Sequence, residues 1–172
     1  AVKQGQQDPA IFIYLAQIHF DLKDYRRAID AIGKAGNRVN QDAALISLKA
    51  ESYWHLKQTD AAIHALNDGQ KAFPADMRFL KRKVFYFVEL GLYQEAIRLG
   101  REYLQRSKAS AADYVAFGNA LRLSREYQEA LNILEIARLQ FPHDEMVAKL
   151  LAHTYLDQGK LNSAAFILEQ AA

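Results

Sequence analysis

The chain has 172 residues, 51% of them hydrophobic and 24% charged, with 22 Lys and Arg against 20 Asp and Glu. That balance belongs to a folded, water-compatible chain rather than a disordered one, and no apolar run reaches the roughly 18 residues that a bilayer span needs. With no cysteine present, disulfides, zinc–thiolate clusters and thiol catalysis are all excluded.

Apolar residues recur at the three-, four- and seven-residue offsets of one helical face, and no strand pattern interrupts them. Taken in chain order, the predicted helices cover residues 9–22, 25–37, 42–56, 59–72, 76–90, 93–106, 110–123, 127–140, 144–157 and 161–171. A longer rhythm lies over the short one. Ala28, Ala62, Ala96, Ala130 and Ala164 stand 34 residues apart without a slip. Twelve residues before each sits a modest side chain (Ala16, Ala50, Val84, Gly118, Ala152), as close crossing of two helices requires. Nine before come the larger His19, Tyr53, Phe87, Leu121 and Tyr155. The break within each helix pair falls just before Tyr25, Thr59, Tyr93, Tyr127 and Leu161, and Pro74 and Pro142 punctuate the exits between pairs.

This arrangement resembles the tetratricopeptide repeat. Gly118, Leu121, Tyr127, Ala130, Leu134, Ala137 and Pro142 carry the pattern most fully, and the likeness covers essentially the whole chain. The pentatricopeptide pattern, usually one residue longer, fits less well. The resemblance implies an all-α fold, an alpha-alpha superhelix (a solenoid) of about ten antiparallel helices. It implies one array over residues 1–172, with repeats at about 9–42, 43–76, 77–110, 111–144 and 145–172. Residues 1–8 then read as the tail of a preceding repeat, since Ala1 shares the register of Ala35. On this reading the chain is excised from a longer array, and its uncapped terminal helices can self-associate. Three departures stand out. Gly100 and Tyr103 exchange the expected large and small residues, Lys49 and Lys83 occupy inner-helix positions, and Asn40 and Lys108 replace exit prolines.

In this family the first helices of successive repeats line a groove that holds a peptide or a partner helix. Carried over, that groove takes in Ile13, Gln17, Phe20, Ser47, Glu51, Trp54, Arg78, Lys81, Arg82, Phe85, Asn119, Arg122, Lys149 and His153, with Val88 and Val115 beside them. Phe20 and Trp54 lie one period apart, one position past the buried aromatic site, and are expected to be exposed binding aromatics. Residues 71–125 hold 11 Lys and Arg against 5 Asp and Glu, so a basic centre around Arg78, Lys81, Arg82, Lys83 and Arg122 is expected to favour an acidic partner. A carboxylate clamp of the chaperone type does not fit, because Ile13 and Gln17 stand where lysine and asparagine are needed. The five histidines never fall in a metalloprotease spacing, and no phosphate-cradling glycine loop occurs. No catalytic, metal or cofactor residues are therefore expected.

The expected function is a non-enzymatic protein–protein interaction scaffold. Arrays like this often serve bacterial envelope, pilus or exopolysaccharide-export assemblies, in periplasm or cytoplasm. The alternatives are a substrate-recruiting or regulatory domain of a larger enzyme and, from a third class, an RNA-binding helical repeat. The short basic stripe, interleaved with Glu89, Glu95 and Glu102, argues against nucleic acid.

Overall fold

The computed structural model of the protein describes residues 8–171. Among them are ten α-helices: α1 (Pro9–Asp21), α2 (Tyr25–Lys34), α3 (Ala43–His55), α4 (Thr59–Ala72), α5 (Met77–Glu89), α6 (Tyr93–Arg106), α7 (Ala111–Leu123), α8 (Tyr127–Gln140), α9 (Glu145–Asp157) and α10 (Leu161–Glu169). No strand occurs among the described residues. The five expected breaks coincide with the first residues of α2, α4, α6, α8 and α10. The tail assigned to Ala1, Val2 and Lys3 lies outside the described residues, as does Ala172.

The clearest departure from expectation is at α2. It stops at Lys34 rather than at residue 37, and the chain continues as a 3-10 segment over Gly36–Gln41. Gly36 takes φ +63°, which ends the α-helix, and the exit that lacks a proline is set by this tighter coil instead. At the other proline-free exit, Ser110 and Asp113 form a reciprocal capping box at the start of α7.

Two further features repeat with the 34-residue period. Asp8, Asp42, Asp76 and Asp144 each accept backbone N–H groups at the start of the following first helix of a pair, which satisfies donors that the helix leaves unpaired. The turn between paired helices places one residue in the left-handed region every time: Lys23, Lys57, Gly91, Arg125 and Gly159, with φ between 59° and 72°.

The chain divides into two compact units, one ending at Phe79 and one beginning at Leu80. In the first unit the crossings α1 on α2 and α3 on α4 are built on Ala16, Ala28, Ala50 and Ala62, all fully buried. A side chain at Gly69 would put its Cβ 2.3 Å from Phe79 Cε1, so the bare helix face is the seat for that ring. In the second unit Ala96, Ala130 and Ala152 are fully buried, and the absent side chain of Gly118 leaves room for Leu134. The Gly100/Tyr103 exchange is resolved by two partners on α7. Phe117 fills the space over Gly100, and Tyr103 is buried with its hydroxyl donating to Asp113 Oδ2 at 3.1 Å. Of the two inner lysines, Lys49 is half-buried while Lys83 is only 8% exposed. Burial, reinforced by Arg98, lowers the Lys83 ammonium from its ordinary value, with Glu102 pulling the other way.

Candidate functional site

In the first unit the candidate residues come from α1 and α3, with Arg78 at the start of α5. Ile13, Ser47, Glu51 and Trp54 are half-buried. Gln17 is exposed and donates to Asp21, one turn on. Phe20 and Trp54 are both half-buried, which corrects the expectation that they stand out as exposed rings. Phe20 meets Tyr25 edge-on at 5.5 Å and His55 at 6.2 Å, while Tyr25 and His55 stack at 4.3 Å. Its ring therefore helps join α1 and α2 to α3, because the residue one position past the core site still faces the neighbouring pair. Arg78 closes on Asp76 through Nε at 3.0 Å and Nη2 at 2.6 Å, and that guanidinium holds the Asp76 carboxyl below its ordinary value against the opposing effect of burial.

In the second unit the candidates lie on α5, α7 and α9. Phe85 is 44% exposed and Arg82 and Asn119 are half-buried. Lys81 Nζ sits 2.8 Å from Asp113 Oδ1, linking α5 to α7. Arg122 Nη1 sits 2.7 Å from Asp157 Oδ2, linking α7 to α9, and its other nitrogens reach Asn119 Oδ1. Lys149 pairs with Glu145 on its own helix, and His153 is exposed.

Arg78, Lys81, Arg122 and Lys149 are thus all engaged by carboxylates of the chain. Within the basic centre expected from local charge counting, two of the cations, Lys81 and Arg122, brace successive first helices. The physical reason is the repeat itself. Partners 32 and 35 residues away in sequence become neighbours when each pair of helices stacks on the next. Burial alone would raise the Asp113 carboxyl, but hydrogen bonds from Lys81 and from the Ser110 amide and hydroxyl outweigh it and hold it below the ordinary value.

Sequence reasoning missed Met146 and Leu156, both exposed. Leu156 lies three periods beyond Trp54, in the same register as Val88 and Arg122, so extending the 34-residue spacing from Trp54 would have found it. The second unit therefore offers Phe85, Met146 and Leu156 as exposed apolar side chains, Phe85 one helical turn along from Lys81, Met146 next in sequence to Glu145 and Leu156 next to Asp157. Among the described residues no three His, Asp or Glu side chains converge as a metal-holding group, and no helix is long and apolar enough to cross a membrane.

No curated protein matches the chain in sequence. Among solved structures the fold is similar to MamA (residues 41 to the end) from Desulfovibrio magneticus RS-1, with a TM-score of 0.86 at 13% identity, covering 96% of this chain and 93% of that one. A structure described as MamA protein gives 0.83 at 15% identity, over 95% and 89%. MamA of AMB-1 gives 0.78 at 16% identity, over 95% and 89%. At such identities the likeness is one of fold. The family model described as anaphase-promoting complex, cyclosome, subunit 3 matches residues 1–69 and 89–171, and a tetratricopeptide repeat model matches residues 47–112. With its helix pairs, its buried alanine crossings and these two matches, the chain belongs to the tetratricopeptide-repeat proteins.

Proposed function

We propose that the chain is a non-enzymatic interaction scaffold, a single array whose first-helix faces hold a segment of a partner protein. The observation that carries this reading is the pattern on α5, α7 and α9. Exposed Phe85, Met146 and Leu156 sit on helices that the Lys81–Asp113 and Arg122–Asp157 pairs join. Large apolar side chains on a surface rigidified in this way suit recognition, because a few such anchors dominate interface energetics. An acidic partner would have to displace Asp113 or Asp157 from cations that are already paired, so apolar anchoring is favoured over charge as the main source of affinity. The narrower role, within a bacterial envelope, pilus or exopolysaccharide-export assembly, rests on family usage.

A phage-displayed library of random peptides, panned on the purified chain, tests the proposal. Enriched sequences should carry apolar side chains at helical or extended spacing. Binding of the synthetic peptide, measured by calorimetry, should weaken at least about tenfold in Phe85→Ala, equivalent to about 1.4 kcal/mol, with the melting temperature unchanged. Peptides bound equally well by Phe85→Ala, Leu156→Ala and Trp54→Ala would remove the first-helix face from the account. Peptides enriched only for acidic residues, and lost in Lys81→Glu, would restore the electrostatic reading.

A further inference from the structure

Between the 3-10 segment, α3 and α4 lies a cavity of about 430 Å³, within the size range of pockets that take a small ligand. Small side chains make it, at registers that are filled elsewhere in the chain. Ala65 stands where the three following second helices place Leu99, Ile133 and Ile167. Val39 stands where two later exits place Phe73 and Phe141, whose rings pack on Phe79 and Tyr114. With Ile46 these two residues give the cavity an apolar floor, since Val39, Ile46 and Ala65 are all buried.

The polar part of the lining also comes from departures from the repeat. Asn40 takes the register of Pro74 and Pro142, and Lys49 takes a register at which Phe117 and Leu151 are buried. Lys71 reaches the same cavity from α4. A half-buried lysine lays its stem on apolar neighbours and brings its ammonium to the edge. One carboxylate, Asp68, shares the lining, and it is engaged by His64 Nδ1 at 3.0 Å, one turn earlier on α4. Among the described residues neither Lys49 nor Lys71 has an ion-pair partner. Ser47, Glu51 and Trp54 take no part in the lining.

We propose that this cavity binds a small monocarboxylic acid with an aliphatic body. The chain lies on Val39, Ile46 and Ala65, where leaving water is favourable. The carboxylate sits at the edge that carries Lys49, Lys71 and the Asn40 amide, and ammonium groups hold a carboxylate through charge-assisted hydrogen bonds. Two ammonium groups against the Asp68 carboxylate leave a single positive charge, so the site suits one negative charge and repels a second through Asp68. The residues that break the repeat at this exit thus converge on one ligand chemistry.

Titration of the 15N-labelled chain with sodium octanoate, followed by amide NMR shifts, tests the proposal, with octanol as the uncharged match. Octanoate should shift the amides of Asn40, Lys49, Ala65 and Lys71 saturably, and bind roughly tenfold more tightly than octanol. Lys49→Met and Lys71→Met, which keep an apolar stem, should each weaken octanoate and leave octanol unchanged. Ala65→Leu, which restores the side chain of Leu99, should abolish binding of both. Circular dichroism confirms that helix content is kept, and Ala72→Leu, on the same lining, serves if Ala65→Leu lowers it. Octanoate that binds no better than octanol overturns the proposal, as does affinity unchanged in both Lys→Met variants. Binding that survives both leucine variants, or none up to millimolar concentration, overturns it too. Tighter binding of N-acetylglutamate amide than of octanoate would assign the site to an acidic side chain of a protein and overturn the free acid.

Discussion

Replacing Asp113 with alanine should cost more stability than any other substitution of a charged residue on α7. The side chain is 9% exposed and does four things at once. It accepts the Ser110 amide at 2.9 Å and the Ser110 hydroxyl at 2.7 Å, it accepts the buried Tyr103 hydroxyl at 3.1 Å, and it pairs with Lys81 at 2.8 Å. Loss of the helix cap removes about 1 kcal/mol. Leaving the Tyr103 phenol buried without its acceptor removes about 1–3 kcal/mol. The Lys81 pair, with a half-exposed ammonium, adds at most about 0.5–1 kcal/mol. The combined loss should be about 2–5 kcal/mol, read as a shift in the urea midpoint by circular dichroism. Tyr103→Phe in the Asp113→Ala background should recover part of it, because the stranded hydroxyl is gone. A loss below about 0.5 kcal/mol, the usual range of a surface change, would refute the idea that this carboxylate is the junction between α6 and α7. The pH dependence follows from the same contacts. A carboxyl held below its unfolded value of about 3.9 stabilises the fold above that pH and loses the contribution as pH falls through the lower folded value. Acid unfolding of the wild type should therefore contain a component below about pH 4 that is missing in Asp113→Asn.

Two other outcomes rest on backbone and packing. Gly100→Ala gains about 1 kcal/mol of helix propensity, but the new Cβ would lie 2.4 Å from Phe117 Cδ2. The net effect should be destabilising by about 1–2 kcal/mol, partly recovered by adding Phe117→Leu, and a raised melting temperature would show that the ring yields freely. Lys57→Gly relieves a left-handed conformation, φ 61°, and should stabilise by up to about 1 kcal/mol after the entropy that glycine forfeits. Gly91→Lys should do the reverse, and equal melting temperatures for both variants would remove strain from the turn.

The helices and their crossings were legible in the sequence because both depend on short, repeated spacings. Ala28 and its counterparts mark positions where only a small side chain fits, and Tyr25, Thr59, Tyr93, Tyr127 and Leu161 mark where the second helix starts. The Asp caps at 8, 42, 76 and 144 recur at the same interval and can be read in the same way. The site was less legible. The half-burial of Phe20 depends on Tyr25 and His55 meeting it from different helices. The pairing of Lys81 and Arg122 depends on carboxylates some thirty residues away, which a local charge count treats as unrelated. The early end of α2 came from a single residue, Gly36, whose left-handed conformation no apolar spacing reports.

The Gly100–Phe117 seat and the Tyr103–Asp113 bond have a consequence for the order of the array. Each is a lock cut for one key: Gly100 leaves a hollow that fits a phenyl ring, and Tyr103 carries a hydroxyl that needs an acceptor. The corresponding surface on α8 carries Leu134 and Ala137, and its cluster closes on Leu151. Helix pairs that share one backbone pattern are therefore not interchangeable parts. Transposing two of them would put a ring against a filled surface and a phenol against an alkyl chain. The 34-residue period makes the units alike enough to stack, and the exceptions to it number them, so that the chain has one assembly order among many that its backbone alone would permit.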